Sequence, residues 1–267
     1  MLARQRQERI LEALRVSGGV RVSDLTEQLQ VSYMTIRRDL DALAERGLVE
    51  KVHGGATVAT QRSAEEPGFE AKSFRERPEK EAIAAEAMRL VQPGTAIGVT
   101  AGTTTWTLAR YLRDIPNLTV VTNSVPVSEI MRHSSRTDLS VVLTGGLRTP
   151  SDALVGPVAD SAVRSMHVDL LFMGVHGMDE RGGFTTPNLL ESETNRALVR
   201  SARRLVVVAD HTKWGIVGLS TIASLGEADV LVSDDRLPAE ARATLSEHVG
   251  ELIIARVTAD GDGGSTS

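Results

Sequence analysis

A larger α/β domain on a parallel sheet, preceded by a small helical head with a β-hairpin, is the fold class this 267-residue sequence predicts. Three observations carry it. After residue 73, apolar runs rich in β-branched residues alternate with helical segments. Residues 1–58 carry short amphipathic helical patterns and a glycine-containing hairpin. Between them, residues 59–72 have no apolar period and read as a linker.

In the head, Arg4 to Val16 places Ile10, Leu11 and Leu14 on one side and stops at Gly18-Gly19. Ser23 can cap a short second helix whose Leu25 and Leu29 face inward. Ser32 can cap a third, running to about Arg46 and ended by Gly47. Residues 48–52 and 56–58, around His53-Gly54-Gly55, read as a hairpin wing.

In the larger domain, 73–257, candidate strands are Thr95–Thr100, Leu118–Asn123, Leu139–Thr144, Asp169–Gly174, Leu205–Asp210, Asp229–Asp234 and Glu251–Val257. Runs such as Val206-Val207-Val208 suit strands buried on both faces. Helical segments Lys80–Val91, Thr105–Arg113 and Ser192–Ala202 lie between strands, as crossovers of a parallel sheet require. Residues 258–267 have no apolar content and read as a disordered tail.

A 41% hydrophobic and 24% charged composition is that of a globular protein, and no apolar run approaches the roughly 20 residues of a membrane span. The first fifteen residues are charged throughout, unlike a secretory signal, so a cytoplasmic location with no membrane partner is expected. There is no cysteine, and the six histidines lack metal-ligand spacing, so no metal is expected; no cofactor is expected either. A GxxxxGK[ST] phosphate loop is absent, which argues against an ATPase. Aromatics are only 3%, which argues against a single-strand stacking platform. Net charge is −5, yet residues 1–62 carry ten Lys/Arg against eight Asp/Glu. DNA affinity therefore has to come from local placement of positive charge.

The third helix offers that placement. At 100° per residue, Ile36, Leu40 and Leu43 share an inward face, and Met34, Arg37, Arg38, Asp41 and Glu45 point outward. Only its positive N-terminal half suits the major groove of double-stranded DNA. Arg37 and Arg38 can pair with guanine or phosphate, and Met34 can touch a thymine methyl. Ser32, Tyr33 and Thr35 flank them, while Lys51 and His53 on the wing can approach the adjacent backbone. The bland alternative is a three-helix bundle with a solvated face. The helix, the arginine pair, the capping serine and the wing occur together, which favours a winged helix-turn-helix.

Residues 31–40 (VSYMTIRRDL) and 43–56 (LAERGLVEKVHGGA) resemble the heads of DeoR-type repressors, and the resemblance continues over about residues 4–257. It implies repression of a sugar-catabolism operon, relieved by a phosphorylated intermediate. It also implies a second domain with the fold of ribose phosphate isomerase and glucosamine phosphate deaminase. Family members commonly carry an aspartate two places before the glycine of the first loop, where this chain has Thr100.

Five polar loops follow five of the strands and fall on one rim of such a sheet, where ligands bind. In the first, Thr100 precedes Gly102, and Thr103, Thr104 and Thr105 offer amides and hydroxyls to a phosphate at a helix start. Asn123 and Ser124 can orient hydroxyls. Gly145, Gly146 and Gly174, in the loops after two further strands, are read as ligand-binding. Glu191 can accept from sugar hydroxyls, and Lys213 can meet a phosphate. A plain helix cap, a helix-start acid and a solvated lysine are the respective alternatives. Trp106 and Trp214 read as packing residues. A working sugar-phosphate isomerase, with Glu191, Asp210, His176 and Lys213 as its acid–base groups, is the rival function. Because one head makes few contacts, a homodimer or higher oligomer assembled through the α/β domain is expected on a symmetric operator.

Overall fold

A computed structural model of the chain describes residues 2–45, 48–52, 54–58 and 68–257. They form two compact units. Gly47, His53, most of the 59–72 stretch and the 258–267 tail lie outside the described residues.

The head holds α1 (Ala3–Ser17), β1 (Gly19–Arg21), α2 (Val22–Leu29), α3 (Tyr33–Glu45), β2 (Val49–Val52) and β3 (Gly55–Val58). Ile10, Leu14, Leu25, Ile36, Leu40 and Leu43 are its buried centre, as the helical spacing requires. Gly18 closes α1 in the left-handed conformation, its amide bonded to Leu14 O at 2.8 Å. Two expectations change. Ser23 does not cap α2; it is the second helical residue, and its hydroxyl donates to Asp24. The helix starts two residues earlier, with Arg21 at the N-cap position, because Val22 has to bury with Leu25 and Leu29. The wing also has a third strand, with sheet order β1-β3-β2. Gly55 permits it, since a Cβ there would lie 2.1 Å from Val20 O.

Inside the head, Arg6 of α1 pairs through Nε and Nη2 with the buried carboxylate of Asp39 on α3, which Gln7 Nε2 also meets at 3.3 Å. This bidentate pair ties the first helix to the back of the third.

In sequence, α4 (Phe69–Ser73) is a short helix that overlaps the end of the stretch read as linker. The larger unit then runs α5 (Arg77–Met88), β4 (Ala96–Val99), α6 (Thr103–Leu112), β5 (Thr119–Thr122), α7 (Val125–Arg132), β6 (Ser140–Leu143), β7 (Leu147–Arg148), β8 (Leu154–Val155) and α8 (Pro157–Arg164). It continues with β9 (Leu170–Gly174), β10 (Gly177–Asp179), β11 (Gly183–Thr186), α9 (Leu189–Ser201), β12 (Leu205–Val208), β13 (Ser220–Ala223), β14 (Val230–Asp234), α10 (Ala239–His248) and β15 (Leu252–Ala255).

The seven predicted strands form one parallel sheet in the order β15-β14-β12-β9-β4-β5-β6. Its residues alternate between two cores. Val99, Val120, Phe172, Val206, Val208, Val230 and Val232 pack under α5, α6 and α7. Leu171, Met173, Leu205, Val207 and Leu231 pack under α8, α9 and α10. Burial on both faces is why the inner strands read as continuous apolar runs, while the edge strand β6 is largely exposed. Two small antiparallel sheets, β10-β11-β13 and β7-β8, were not predicted. No helix among the described residues is long and apolar enough to cross a membrane.

Candidate functional site

The outer face of α3 is open. Tyr33 and Met34 are 50% and 65% exposed, and Arg37 and Arg38 are exposed beside them. Ser32 caps the helix, its Oγ accepting from Thr35 N at 3.2 Å and lying 2.8 Å from Thr35 Oγ1. Six predicted residues thus share the first turn and a half of one helix. Lys51 differs from expectation: its ammonium pairs with Asp41 of α3 rather than standing alone on the wing. His53 falls outside the described residues.

In the α/β unit, the sheet order reverses between β4 and β9, because β4 leads to β5 on one side and β9 to β12 on the other. Such a switch point opens a crevice at the carboxyl ends of the strands. Both walls carry predicted residues. Thr100, fully buried after β4, accepts the Gly174 amide from the end of β9 at 3.1 Å, so its hydroxyl stitches the two walls together. Gly102 has φ 157° and ψ 158°, a region that side chains avoid, and starts α6. Thr105 Oγ1 donates to Gly102 O. The amides of Thr103, Thr104 and Thr105 meet no acceptor among the described residues and form the positive end of α6.

Asn123 and Ser124 are both buried. Asn123 Oδ1 accepts from Ala101 N at 2.9 Å and its Nδ2 donates to Leu154 O at 3.2 Å, while Ser124 Oγ caps α7 through Val127 N. They hold the first loop in place, and these bonds leave the second Asn123 amide hydrogen and the Ser124 hydroxyl hydrogen unused. Gly145 and Gly146 follow β6, with Gly146 close against Val155. Glu191, in the first turn of α9, accepts from Thr149 Oγ1 at 2.7 Å and from Thr186 Oγ1 at 3.3 Å. A carboxylate has acceptor capacity beyond two bonds. Trp106 packs edge-on against Phe69 at 5.8 Å, and Trp214 packs against the second core.

Lys213 lies in a short 3₁₀ turn (His211–Lys213) after β12. Around it stands a charged cluster that the sequence reading did not assemble. Asp210 is 1% exposed, and its Oδ2 has no hydrogen-bond partner among the described residues. Burial pushes the Asp210 carboxyl up, but Lys213, Lys80 and the Thr212 donor outweigh it, so it sits below the ordinary carboxylate range. Lys80, on the first turn of α5, is 4% exposed. Burial, partly offset by Asp210 and reinforced by Lys213, brings its pKa down to about 8. His211 Nδ1 lies 2.9 Å from the buried Asp234 carboxylate, and that bond, against the desolvation of the ring, raises the histidine above its ordinary value. The sequence reading gave Lys80 no role beyond starting a helical segment. The available signal was its place one crossover before the first rim loop, on a face whose neighbours Ile83, Ala84 and Ala87 are all apolar.

The rim therefore presents amide donors at α6, a buried carboxylate and two ammonium groups near it, suited to a small anionic ligand. Two families match the chain. The family described as "DeoR-like helix-turn-helix domain" matches residues 6–62, and "DeoR C terminal sensor domain" matches residues 75–235. The chain belongs to the DeoR family. HTH-type transcriptional regulator GlpR of Haloferax volcanii is 36% identical to it, over 95% of this chain and 98% of the relative. The glycerol-3-phosphate regulon repressor of Escherichia coli K12 is 29% identical, over 94% and 98%. Among solved structures, ribose 5-phosphate isomerase A from Neisseria gonorrhoeae is 15% identical with a TM-score of 0.39, covering 52% of this chain and 54% of that one.

Proposed function

We propose that this DeoR-family chain is a DNA-binding repressor of a sugar-catabolism operon. On this reading α3 enters the major groove, and a phosphorylated sugar at the crevice of the α/β unit controls operator affinity. Two copies on a symmetric site supply the contacts that one head lacks. The related regulators support the first half. For the second half the carrying observation is Lys80, an ammonium 4% exposed at the rim in the field of Lys213 and Asp210. Lys80 Nζ donates to Arg75 O, and the charges of Asp210 and Glu76 offset part of its burial; an arriving phosphate would add to that compensation beside Lys213. The ends of β12 and β4 are two strands apart, roughly 10 Å at ~4.8 Å per strand, about the length of a small phosphorylated sugar. The phosphate then lies against the cations or the α6 amides, and Glu191 accepts from a hydroxyl. Sensing, not turnover, is the role proposed: at this point of the rim Thr100 offers a hydroxyl bonded to the Gly174 amide, and no carboxylate.

The pH dependence follows from Lys80. Its pKa is lowered in the empty protein, so near pH 8 to 9 part of the population has lost the proton that a phosphate would pair with. Binding restores that proton. Affinity for a phosphorylated sugar should therefore be fully developed below about pH 8 and decline up to tenfold per pH unit above it. Titration calorimetry at pH 8.5, in two buffers of different ionisation enthalpy, should show net proton uptake on binding. Binding without uptake would remove Lys80 from the site, and no binding by any phosphorylated sugar would remove the reading.

A further inference from the structure

Along the exposed stripe of α3, four groups follow one another: the Tyr33 ring, the Arg37 guanidinium, the Asp41 carboxylate and, from β2, the Lys51 ammonium. The first three are spaced four residues apart and so are neighbours on the helix surface. Arg37 Cζ lies 5.8 Å from the Tyr33 ring centroid, within reach of cation–π attraction. Lys51 Nζ donates to Asp41 Oδ1, and both side chains are 49% exposed. Strand register explains the reach. Lys51 shares a face of the wing with buried Val49 and lies opposite buried Ala56, so it rises on the side packed against α3.

Asp41 carries the wrong charge for a helix meant to lie on phosphates. One turn beyond Arg37, it competes with DNA for that guanidinium. The Lys51 hydrogen bond chiefly, and the charge of Arg37 more weakly, hold its carboxyl below the ordinary range. We propose that Lys51 is a positioning residue for base readout: by occupying Asp41 it leaves the Arg37 guanidinium over Tyr33 and available to a guanine edge. This rests on α3 being the reading helix, and it replaces the backbone contact that the sequence suggested for Lys51. It also gives Asp41 a use. A carboxylate held by the wing locks the wing to the helix without taking the arginine.

The test uses the full-length chain and a duplex recovered by repeated selection from a randomised pool, with a variant at every base pair. Arg37→Ala first identifies the base pair that Arg37 reads. If no base pair depends on it, the reading helix is wrongly assigned and the proposal falls with it. If one does, Lys51→Met should cut discrimination at that base pair about tenfold, with the slope of log affinity against log salt unchanged. Adding Asp41→Asn should restore discrimination, because the competing charge is gone. A different pattern would make Lys51 a phosphate contact and overturn the proposal while leaving the reading helix intact: uniform weakening on every duplex, a slope lower by ~0.9, and no rescue by Asp41→Asn.

Discussion

Arg37→Ala is expected to weaken binding to the selected duplex by about 1–3 kcal/mol, roughly five- to 150-fold, with little change on unrelated DNA. The side chain is exposed on the first turn and a half of α3 and touches no part of the head's buried centre, so the fold should be unaffected. Competitive gel shift with specific and scrambled duplexes separates the two quantities. Equal loss on both would make Arg37 a phosphate contact. No loss on either would place the major-groove face elsewhere on the head.

Lys213→Ala should have the opposite signature. DNA affinity in the absence of ligand stays as in the parent chain, while affinity for a phosphorylated sugar falls by about 1.5–3 kcal/mol, the scale of a hydrogen bond to a charged group. Removing one cation also relieves its repulsion on Lys80, so the Lys80 pKa should move up from about 8. In the variant, the alkaline decline in ligand affinity should therefore begin at a higher pH. Titration calorimetry across pH 7–9 on both chains measures both effects. An unchanged ligand affinity in the variant would take Lys213 out of the site.

The parallel sheet was legible because its inner strands are buried on both faces. Apolar runs such as Leu170–Gly174 and Leu205–Val208 leave no amphipathic ambiguity, and each predicted strand, including the largely exposed edge strand β6, appears in the sheet within about two residues at either end. The reading helix was legible for a related reason: Ile36, Leu40 and Leu43 fix one face, so Met34, Arg37 and Arg38 have only solvent left to face. What was missed depends on partners distant in sequence. Strand β1 is three residues long and exists only because Gly55 lets Val20 come close. The β10-β11-β13 sheet is built of segments too short to show a period. Asn123 and Ser124 stand in a polar loop, and their place in it does not reveal that they also hold Ala101 and cap α7. Lys80 and Asp210 are 130 residues apart, and nothing local says that the lysine is buried in the field of the aspartate. Lys51 was read by its charge alone, and its partner Asp41 was assigned to a repelled, DNA-free end of the helix.

The coupling of rim to operator is tested most directly by fluorescence anisotropy of the selected duplex with the full-length chain. The complex is titrated with a panel of phosphorylated sugars, each beside its dephosphorylated form. At least one phosphorylated member should shift DNA affinity tenfold or more, about 1.4 kcal/mol of coupling, while its dephosphorylated twin leaves it unchanged. Equal shifts by both forms, or no shift by any member of the panel, would contradict an anion-gated regulator.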